Sequence, residues 1–402
     1  MDHRVIFHID VNSAFLSWEA VHRLRDLGET LDLRTIPSAV GGDMSKRHGV
    51  ILAKSIPAKR YDVRTGEPIV DALRKCPNLT VVSPNRELYA RNSGAFMEIL
   101  RRYSDVVEQY SIDEAFADMT GTQALFGSPL ETAHRLKDEI RDTLGFTVNV
   151  GISSNKLLAK MAGEFEKPDK VHTLFPDEIQ EKMWPLPVGE LFSVGSASEQ
   201  RLRRLGIQTI GELARADLGT LRAALKKHGE VIWNFANGRD LSLVEAERAD
   251  NKGYGNSVTL PFDVVQAEEA KRVLLSLAET VGRRLRRDGA WVEVVSVTLR
   301  FFDLTHASHQ CALGHATNIT DEIYQAACRL FDELWDGTPL RLIGIQTAKV
   351  TKDGDNRQMS LFDDTDYEKL ERLDRTMDSI REKFGAGAVQ RASFLQQGKN
   401  GS

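Results

Sequence analysis

Ser111-Ile112-Asp113-Glu114-Ala115-Phe116 places two adjacent carboxylates at the end of a strand-like run, Val106-Val107-Glu108-Gln109-Tyr110-Ser111-Ile112, whose apolar members belong in a core. Unpaired carboxylates are costly to bury unless a cation or hydrogen-bond donors compensate them. A third acid, Asp10, closes a second apolar run, Val5-Ile6-Phe7-His8-Ile9. Three acids at the ends of core strands form the oxygen-rich donor set that a hard divalent cation requires, and such a set suits two-metal phosphoryl transfer. Neighbours on a straight strand face opposite ways, so Asp113 and Glu114 reach one centre only if the chain bends or turns between them. On spacing alone the competing reading, a solvated Asp-Glu turn, is the commoner one.

The chain of 402 residues exceeds what one core organises, so two to four domains are expected. Hydrophobic residues at 41% and charged residues at 28% describe an ordinary soluble protein. No apolar run reaches the length of a membrane span, and Met1-Asp2-His3-Arg4 leads straight into a strand with no secretion signal. Cys76, Cys311 and Cys328 are isolated, without metal or redox spacing, which fits a reduced, cytoplasmic protein. The net charge of −5 is unusual for a nucleic-acid ligand, but much of the acid is local, at Asp353, Asp355, Asp363, Asp364, Asp366 and Glu368. Basic clusters stand elsewhere, at Arg201-Leu202-Arg203-Arg204, Lys226-Lys227-His228 and Arg283-Arg284-Leu285-Arg286-Arg287. Patches, not net charge, decide binding to a phosphate backbone.

Hydrophobic periodicity predicts a strand over 5–9, a helix over 15–27 ended by Gly28, strands around a Gly41-Gly42-Asp43 turn within 35–56, a helix over 87–103, a strand over 147–152 and a helix over 155–165. This β-α-β-β-α-β rhythm is that of a ferredoxin-like sheet, with residues 18–79 inserted. Pro168, Pro176, Pro185 and Pro187 mark a change of domain, followed by short helices over 175–242. After a linker the same order recurs, with helices over 267–287 and 321–335 and strands over 291–301 and 340–350. A last helix is expected over 367–384. The fold class is mixed α/β (α+β), in several domains.

Ser111 to Phe116, with Phe7-His8-Ile9-Asp10-Val11-Asn12-Ser13-Ala14-Phe15, resembles the Y-family translesion DNA polymerases, above all the bacterial polymerase IV and UmuC-like members. The resemblance runs from about residue 3 to about residue 390. It implies a palm at 1–17 and 80–174, fingers at 18–79, a thumb at 175–242, a linker at 243–252, a little finger at 253–352 and a C-terminal tail at 353–402. It implies that Asp10 and Asp113 bridge two Mg²⁺ ions (Mn²⁺ as a substitute), that Glu114 completes the ion beside the primer end, and that the Val11 carbonyl is a further ligand. Asn12, Ser13 and Ala14 open a helix whose backbone N–H groups suit phosphate, while plain capping is the alternative for Asn12 and Ser13. By resemblance Phe15 is a steric gate against the 2′-hydroxyl, and Lys160 contacts the triphosphate. Lys156, one helical turn earlier, reads as a solvated surface lysine.

The fingers depart from the family pattern. In Ala53-Lys54-Ser55-Ile56-Pro57-Ala58-Lys59-Arg60, Lys59 stands where an arginine is expected and loses its bidentate fork. Ile56 stands where a tyrosine is expected, with Ser55 as a substitute hydrogen-bonding group. Leu205-Gly206-Ile207-Gln208-Thr209-Ile210-Gly211-Glu212-Leu213 resembles half of a helix-hairpin-helix, a module that offers backbone amides to DNA phosphates. Its other half, Ser193 to Ser198, is degraded and competes with an ordinary helical turn. The arginines at 283–287 read equally as a phosphate grip or a solvated helix face. Gln358-Met359-Ser360-Leu361-Phe362 resembles the motif by which bacterial proteins dock on the sliding clamp (β subunit): the glutamine anchors while Leu361 and Phe362 fill an apolar pocket. Such docking raises the local concentration at DNA. The expected function is template-directed, low-fidelity synthesis on damaged templates without proofreading, by a monomer acting on primer-template DNA and dNTPs with no membrane attachment. The rivals are an inactive scaffold that binds clamp and DNA, and a nucleotide cyclase, which has no need of residues 175–402.

Overall fold

The computed structural model describes residues 4–42, 49–247, 250–354 and 366–394. It divides into two compact units, described residues 4–42 and 49–247 in the first and 250–354 and 366–394 in the second. The first unit begins with β1 (Ile6–Val11), α1 (Ala14–Arg25), β2 (Ser38–Gly41), β3 (Ile51–Lys54), α2 (Ile56–Lys59), α3 (Ile69–Lys75), β4 (Thr80–Val82) and α4 (Arg86–Arg101). It continues through β5 (Val107–Gln109), β6 (Glu114–Asp118), α5 (Gln123–Phe126), α6 (Pro129–Leu144), β7 (Val148–Ser153), α7 (Lys156–Glu164) and β8 (Val171–Thr173) to the helices α8 (Ser196–Arg204), α9 (Ile210–Arg215), α10 (Leu218–Leu225) and α11 (Lys227–Ala236).

Its main sheet has the order β5-β6-β1-β7-β8, with β1 central and antiparallel to both β6 and β7. Every residue of β1 is buried because both faces are covered. Phe7, Ile9 and Val11 point into the large core shared with α1, α4 and α6. The alternate residues Ile6, His8 and Asp10 point to the other face, where α7 lies. The close approach of α7 depends on Gly151 of β7: a Cβ there would stand 1.9 Å from the Ala159 carbonyl oxygen and 2.5 Å from the Gly163 nitrogen.

The expectation of a strand through Ile112 is corrected. β5 ends at Gln109, and the chain reverses through Tyr110–Asp113 before β6 begins at Glu114. Tyr110 and Ser111 both donate their N–H groups to the Glu114 carbonyl, at 3.0 and 3.1 Å, and the Ser111 hydroxyl accepts from the Asp113 and Glu114 amides. The pair of acids therefore stands where a hairpin turn ends and β6 begins, and the turn releases it from the alternation of a straight strand.

A second, three-stranded sheet, β3-β2-β4, carries α2 and α3 and has its own small core around Ile51, Val63, Ile69 and Leu79. Ser55 ties this lobe together. Its hydroxyl donates to the Ile36 carbonyl at 2.7 Å and accepts from the amides of Ser38 and Ala58, the latter as the N-cap of α2. Helices α8 to α11 form a third core, against the apolar face of α7 through Leu157, Leu158, Met161 and Ala162.

The second unit is a four-stranded antiparallel sheet, β11-β10-β12-β9, covered by two helices. Its elements are β9 (Gly255–Val264), α12 (Ala267–Arg287), β10 (Trp291–Phe301), β11 (His306–Thr317), α13 (Thr320–Leu334) and β12 (Leu340–Thr351), followed by α14 (Tyr367–Phe384). Within the arginine cluster, Arg286 is neither a solvated face nor a free grip. It is 6% exposed and paired with Asp374 at 2.9 Å and Asp378 at 2.6 Å of α14. Residues Gln358 to Phe362 lie outside the described residues.

Gly151→Ala tests the helix-on-strand approach. Overpacking against backbone atoms is expected to cost about 1–3 kcal/mol or more, lowering the midpoint of chemical unfolding. An unchanged midpoint would mean that α7 does not need this contact.

Candidate active site

The strand register sets the first pair of acids. Asp10 and Glu114 are direct cross-strand partners on β1 and β6. From the other side α7 brings Glu164, and ligand oxygens of Asp10, Glu114 and Glu164 lie within 4.8 Å of one another. Asp113 faces an adjoining cleft, its carboxylate held by the Ser111 hydroxyl at 2.6 Å, and its carbonyl accepts from the Val11 amide at 3.0 Å.

Two lysines neutralise these acids. The Lys160 ammonium donates to both oxygens of Glu114 at 2.9 Å and lies 3.4 Å from His8 Nε2. Lys167 pairs with Asp10 and, at 2.7 Å, with Glu164. The electrostatics of the two acids diverge as a result. Burial pushes the Asp10 carboxyl up to about 6, with Lys167 opposing the shift and Glu114 and Glu164 adding to it. Burial also pushes on Glu114, but His8 and Lys160 outweigh it and pull its carboxyl down to about 2. Burial lowers the pKa of the His8 imidazole. A buried carboxyl resisting ionisation beside two further acids is what a divalent cation would relieve, so these residues fit such an ion. Among the described residues this is the one cluster of three such groups close enough to hold a metal.

The cleft has a volume of about 510 Å³. It is lined by Asp10, Val11, Asn12, Ser13, Ala14 and Phe15, and by Leu52, Ala53, Lys54, Ser55, Ile56, Lys59 and Thr65 of the small lobe. Leu16, Ser17, Arg34, Asp113, Thr147, Lys167 and Pro168 also line it. Ser13 begins α1 in the left-handed region, with φ of 48°, and makes no side-chain cap. The capping reading of Asn12 and Ser13 therefore fails: Asn12 instead turns its side-chain amide to the Thr147 hydroxyl at 3.2 Å. The first N–H groups of α1 are left without a side-chain cap at the cleft. The Phe15 ring stacks on Tyr89 at 4.5 Å, 9° from parallel, and is backed by the fully buried Trp18.

Lys160 does not line the cleft. The lysine that does so on this side is Lys167, which the sequence reading missed together with Glu164. The only signal was the helical spacing of Glu164 from Lys160; Lys167 lies in the segment after α7 and had none. Lys156 is no solvated lysine either: it is 15% exposed and bound to Glu108 at 2.7 Å.

Over residues 9–164 the sequence matches the impB/mucB/samB family, over 251–361 that family's C-terminal domain, and over 176–207 the IMS family HHH motif. The last match spans the stretch read as a degraded half-motif. The chain is 45% identical to a DNA polymerase IV of Clostridium acetobutylicum, over 98% of this chain and 99% of that protein. It is 40% identical to DNA polymerase IV 2 of Bacillus subtilis, over 98% of this chain and 95% of that protein. The fold is similar to that of a Y-family DNA polymerase chimera, Dbh-Dpo4(243-245)-Dbh, with a TM-score of 0.73 and 22% identity over 86% of this chain and 99% of that one.

The divided titration of the acids gives a test on the metal-free protein. The Asp10 carboxyl sits near 6 when folded, above its ordinary value of 3.8, so ionised Asp10 destabilises the fold above that pH. Asp10→Asn is therefore expected to raise stability at pH 8, in chelator, by up to about 3 kcal/mol. The gain shrinks as the pH falls through 6 and vanishes below about 4. Urea unfolding across this range checks it, and a destabilised variant at pH 8 would contradict the assignment.

Proposed function

The chain belongs to the impB/mucB/samB family of Y-family DNA polymerases and is a DNA-directed DNA polymerase of the translesion type, and we propose that it joins dNTPs to a primer 3′-hydroxyl at the cleft beside Asp10 and Asp113. The observation that carries this reading is the convergence on one cleft of both acids, the uncapped start of α1, the stacked Phe15 ring and three lysines. Divalent ions, Mg²⁺ or Mn²⁺ in its place, would supply charge neutralisation and lower the pKa of the attacking hydroxyl.

Asp10, Asp113, Glu114 and the Val11 carbonyl are the residues that would hold them. Lys160 keeps Glu114 ionised and oriented. Lys167, on the cleft wall, takes the triphosphate role that the sequence reading gave to Lys160, with the α1 amides at Ser13 and Ala14 as further donors. Asn12 fixes the wall through Thr147, and Ser55 shapes the lobe that carries Lys59 and Ile56. Phe15, wedged between Tyr89 and Trp18, is a rigid floor for the sugar and excludes a 2′-hydroxyl by bulk. A site with so few contacts to the base pair discriminates modestly, consistent with low-fidelity synthesis.

The domain reading has palm at 1–17 and 80–174, fingers at 18–79, thumb at 175–242 and little finger at 253–352; separate cores within the little finger and within residues 39–79 support it, while Trp18, Ala20, Leu33, Val40 and Ala53 of the fingers segment pack in the palm core and α7 packs in the thumb core. The second unit would track duplex phosphates, and Gln358 to Phe362 would dock a sliding clamp. No helix among the described residues is long and apolar enough to cross a membrane. The inactive-scaffold reading has no support from a site that keeps its acids and lysines.

Primer extension on an undamaged template with Mg²⁺ tests the assignment. Asp113→Ala is expected to lose about a hundredfold or more in rate, whereas equal extension by the two proteins would remove Asp113 from the centre. In the same assay Phe15→Ala is expected to gain ribonucleotide incorporation by about tenfold or more, the scale of one lost steric contact; unchanged sugar selectivity would discard the gate.

A further inference from the structure

Three lysines line the cleft, and their surroundings differ. Lys167 is neutralised by Asp10 and Glu164. Lys59 is exposed on α2, free to meet water. Lys54 ends β3 and is half-buried, on the same strand face as Leu52, which also lines the cleft. Among the described residues no carboxylate pairs with it. The nearby acids of the lobe are committed elsewhere, Glu67 to Lys75 at 2.6 Å and Asp62 to Arg64 at 3.0 Å. Burial, and then the charge of Lys59, hold the Lys54 ammonium below the usual lysine range. A partly desolvated cation facing another cation is unfavourable in the free protein, and an anionic ligand would remove the penalty.

The cleft favours a polyphosphate as that ligand. The same cleft is lined by the start of α1, a twelve-residue helix with no side-chain cap and no acidic residue in its first turn. The other small-lobe groups on the cleft differ from Lys54: Ile56 has no polar side-chain atom, Arg34 is tied to Asp32 and the Gly145 carbonyl, and Lys59 and Thr65 are exposed. Ser55 is occupied by Ile36, Ser38 and Ala58.

We propose that Lys54 is a triphosphate-binding residue of this chain, meeting the nucleotide from the small lobe in the cleft that Lys167 and the α1 amides also line. The inference deepens the polymerase reading of the cleft and rests on it for the identity of the ligand. The same ammonium chemistry would also suit a backbone phosphate of the template strand, so the test separates the two sources.

The test is calorimetric titration of the full chain with inorganic tripolyphosphate in Mg²⁺, for wild type, Lys54→Met and Lys54→Arg. Methionine keeps an unbranched apolar stem that covers the same surface, so folding is preserved while the charge is lost. Lys54→Met is expected to weaken tripolyphosphate binding about tenfold or more, the scale of one charge-assisted hydrogen bond, and arginine to restore most of it. In primer extension, the loss for Lys54→Met is expected to fall mainly on KM for dNTP, with the Kd for primer-template unchanged. Undiminished tripolyphosphate binding by Lys54→Met overturns the proposal. So does a folded Lys54→Arg that binds no better than Lys54→Met, and so does a loss confined to primer-template affinity, which would move the contact to the template backbone. If wild type binds tripolyphosphate through Lys54 yet extends no primer, the polymerase reading fails and the Lys54 assignment stands.

Discussion

The structure turns on one electrostatic constraint: a carboxylate, Asp10, at the end of a strand that is buried on both faces. Such a charge persists in a core only with a partner. Here the partners come from α7 and the segment after it, through Lys160 on Glu114 and Lys167 on Asp10. That placement requires α7 to lie on β7 and β1 at backbone contact, hence glycine at 151. It also requires β6 to pair with β1 in the register that sets Glu114 beside Asp10. Sheet order, helix position and hairpin turn are thus the geometry that assembles the acids and their counter-ions.

The same arrangement makes the metal-free site self-neutralised. Lys167 spans Asp10 and Glu164, and it also lines the cleft. An ammonium in that position balances the acids, and under the proposed reading it would also face the triphosphate. One side chain can serve both states with a small rotation of a flexible stem.

Much of this was legible in the sequence, and the reasons differ element by element. The strand at 5–9 and the helices at 87–103 and 155–165 follow from periodic apolar residues, and the structure places elements at Ile6–Val11, Arg86–Arg101 and Lys156–Glu164. The run at 106–112 misled because its apolar residues continue past Gln109, while the turn is written in Ser111, whose hydroxyl binds two amides. Glu164 and Lys167 were missed because their meaning comes from proximity to Asp10, more than 150 positions away in sequence. The pairing of Lys156 with Glu108 was missed for the same reason: a helix face shows which residues align, not which neighbour it faces. The small lobe's departures at Ile56 and Lys59 were visible as residues, but that Lys54 shares their cleft was not, because strand direction in so short an element is set by its pairing with β2.

The docking of α14 carries a consequence for where the chain can end. Arg286 lies deep in the second unit, and its carboxylate partners, Asp374 and Asp378, both belong to α14. Asp374, itself 5% exposed, also holds Arg391 at 3.1 Å, and Glu279 of α12 gathers Arg381 and Arg391. A chain stopped after β12 would retain every strand and both covering helices of this unit, yet leave Arg286 without its acids and Glu279 without its bases. Uncompensated charge at a newly opened surface is destabilising. The last residues therefore act as a keystone for the sheet domain, and sequence drift or proteolysis beyond residue 366 is constrained by folding as well as by any partner.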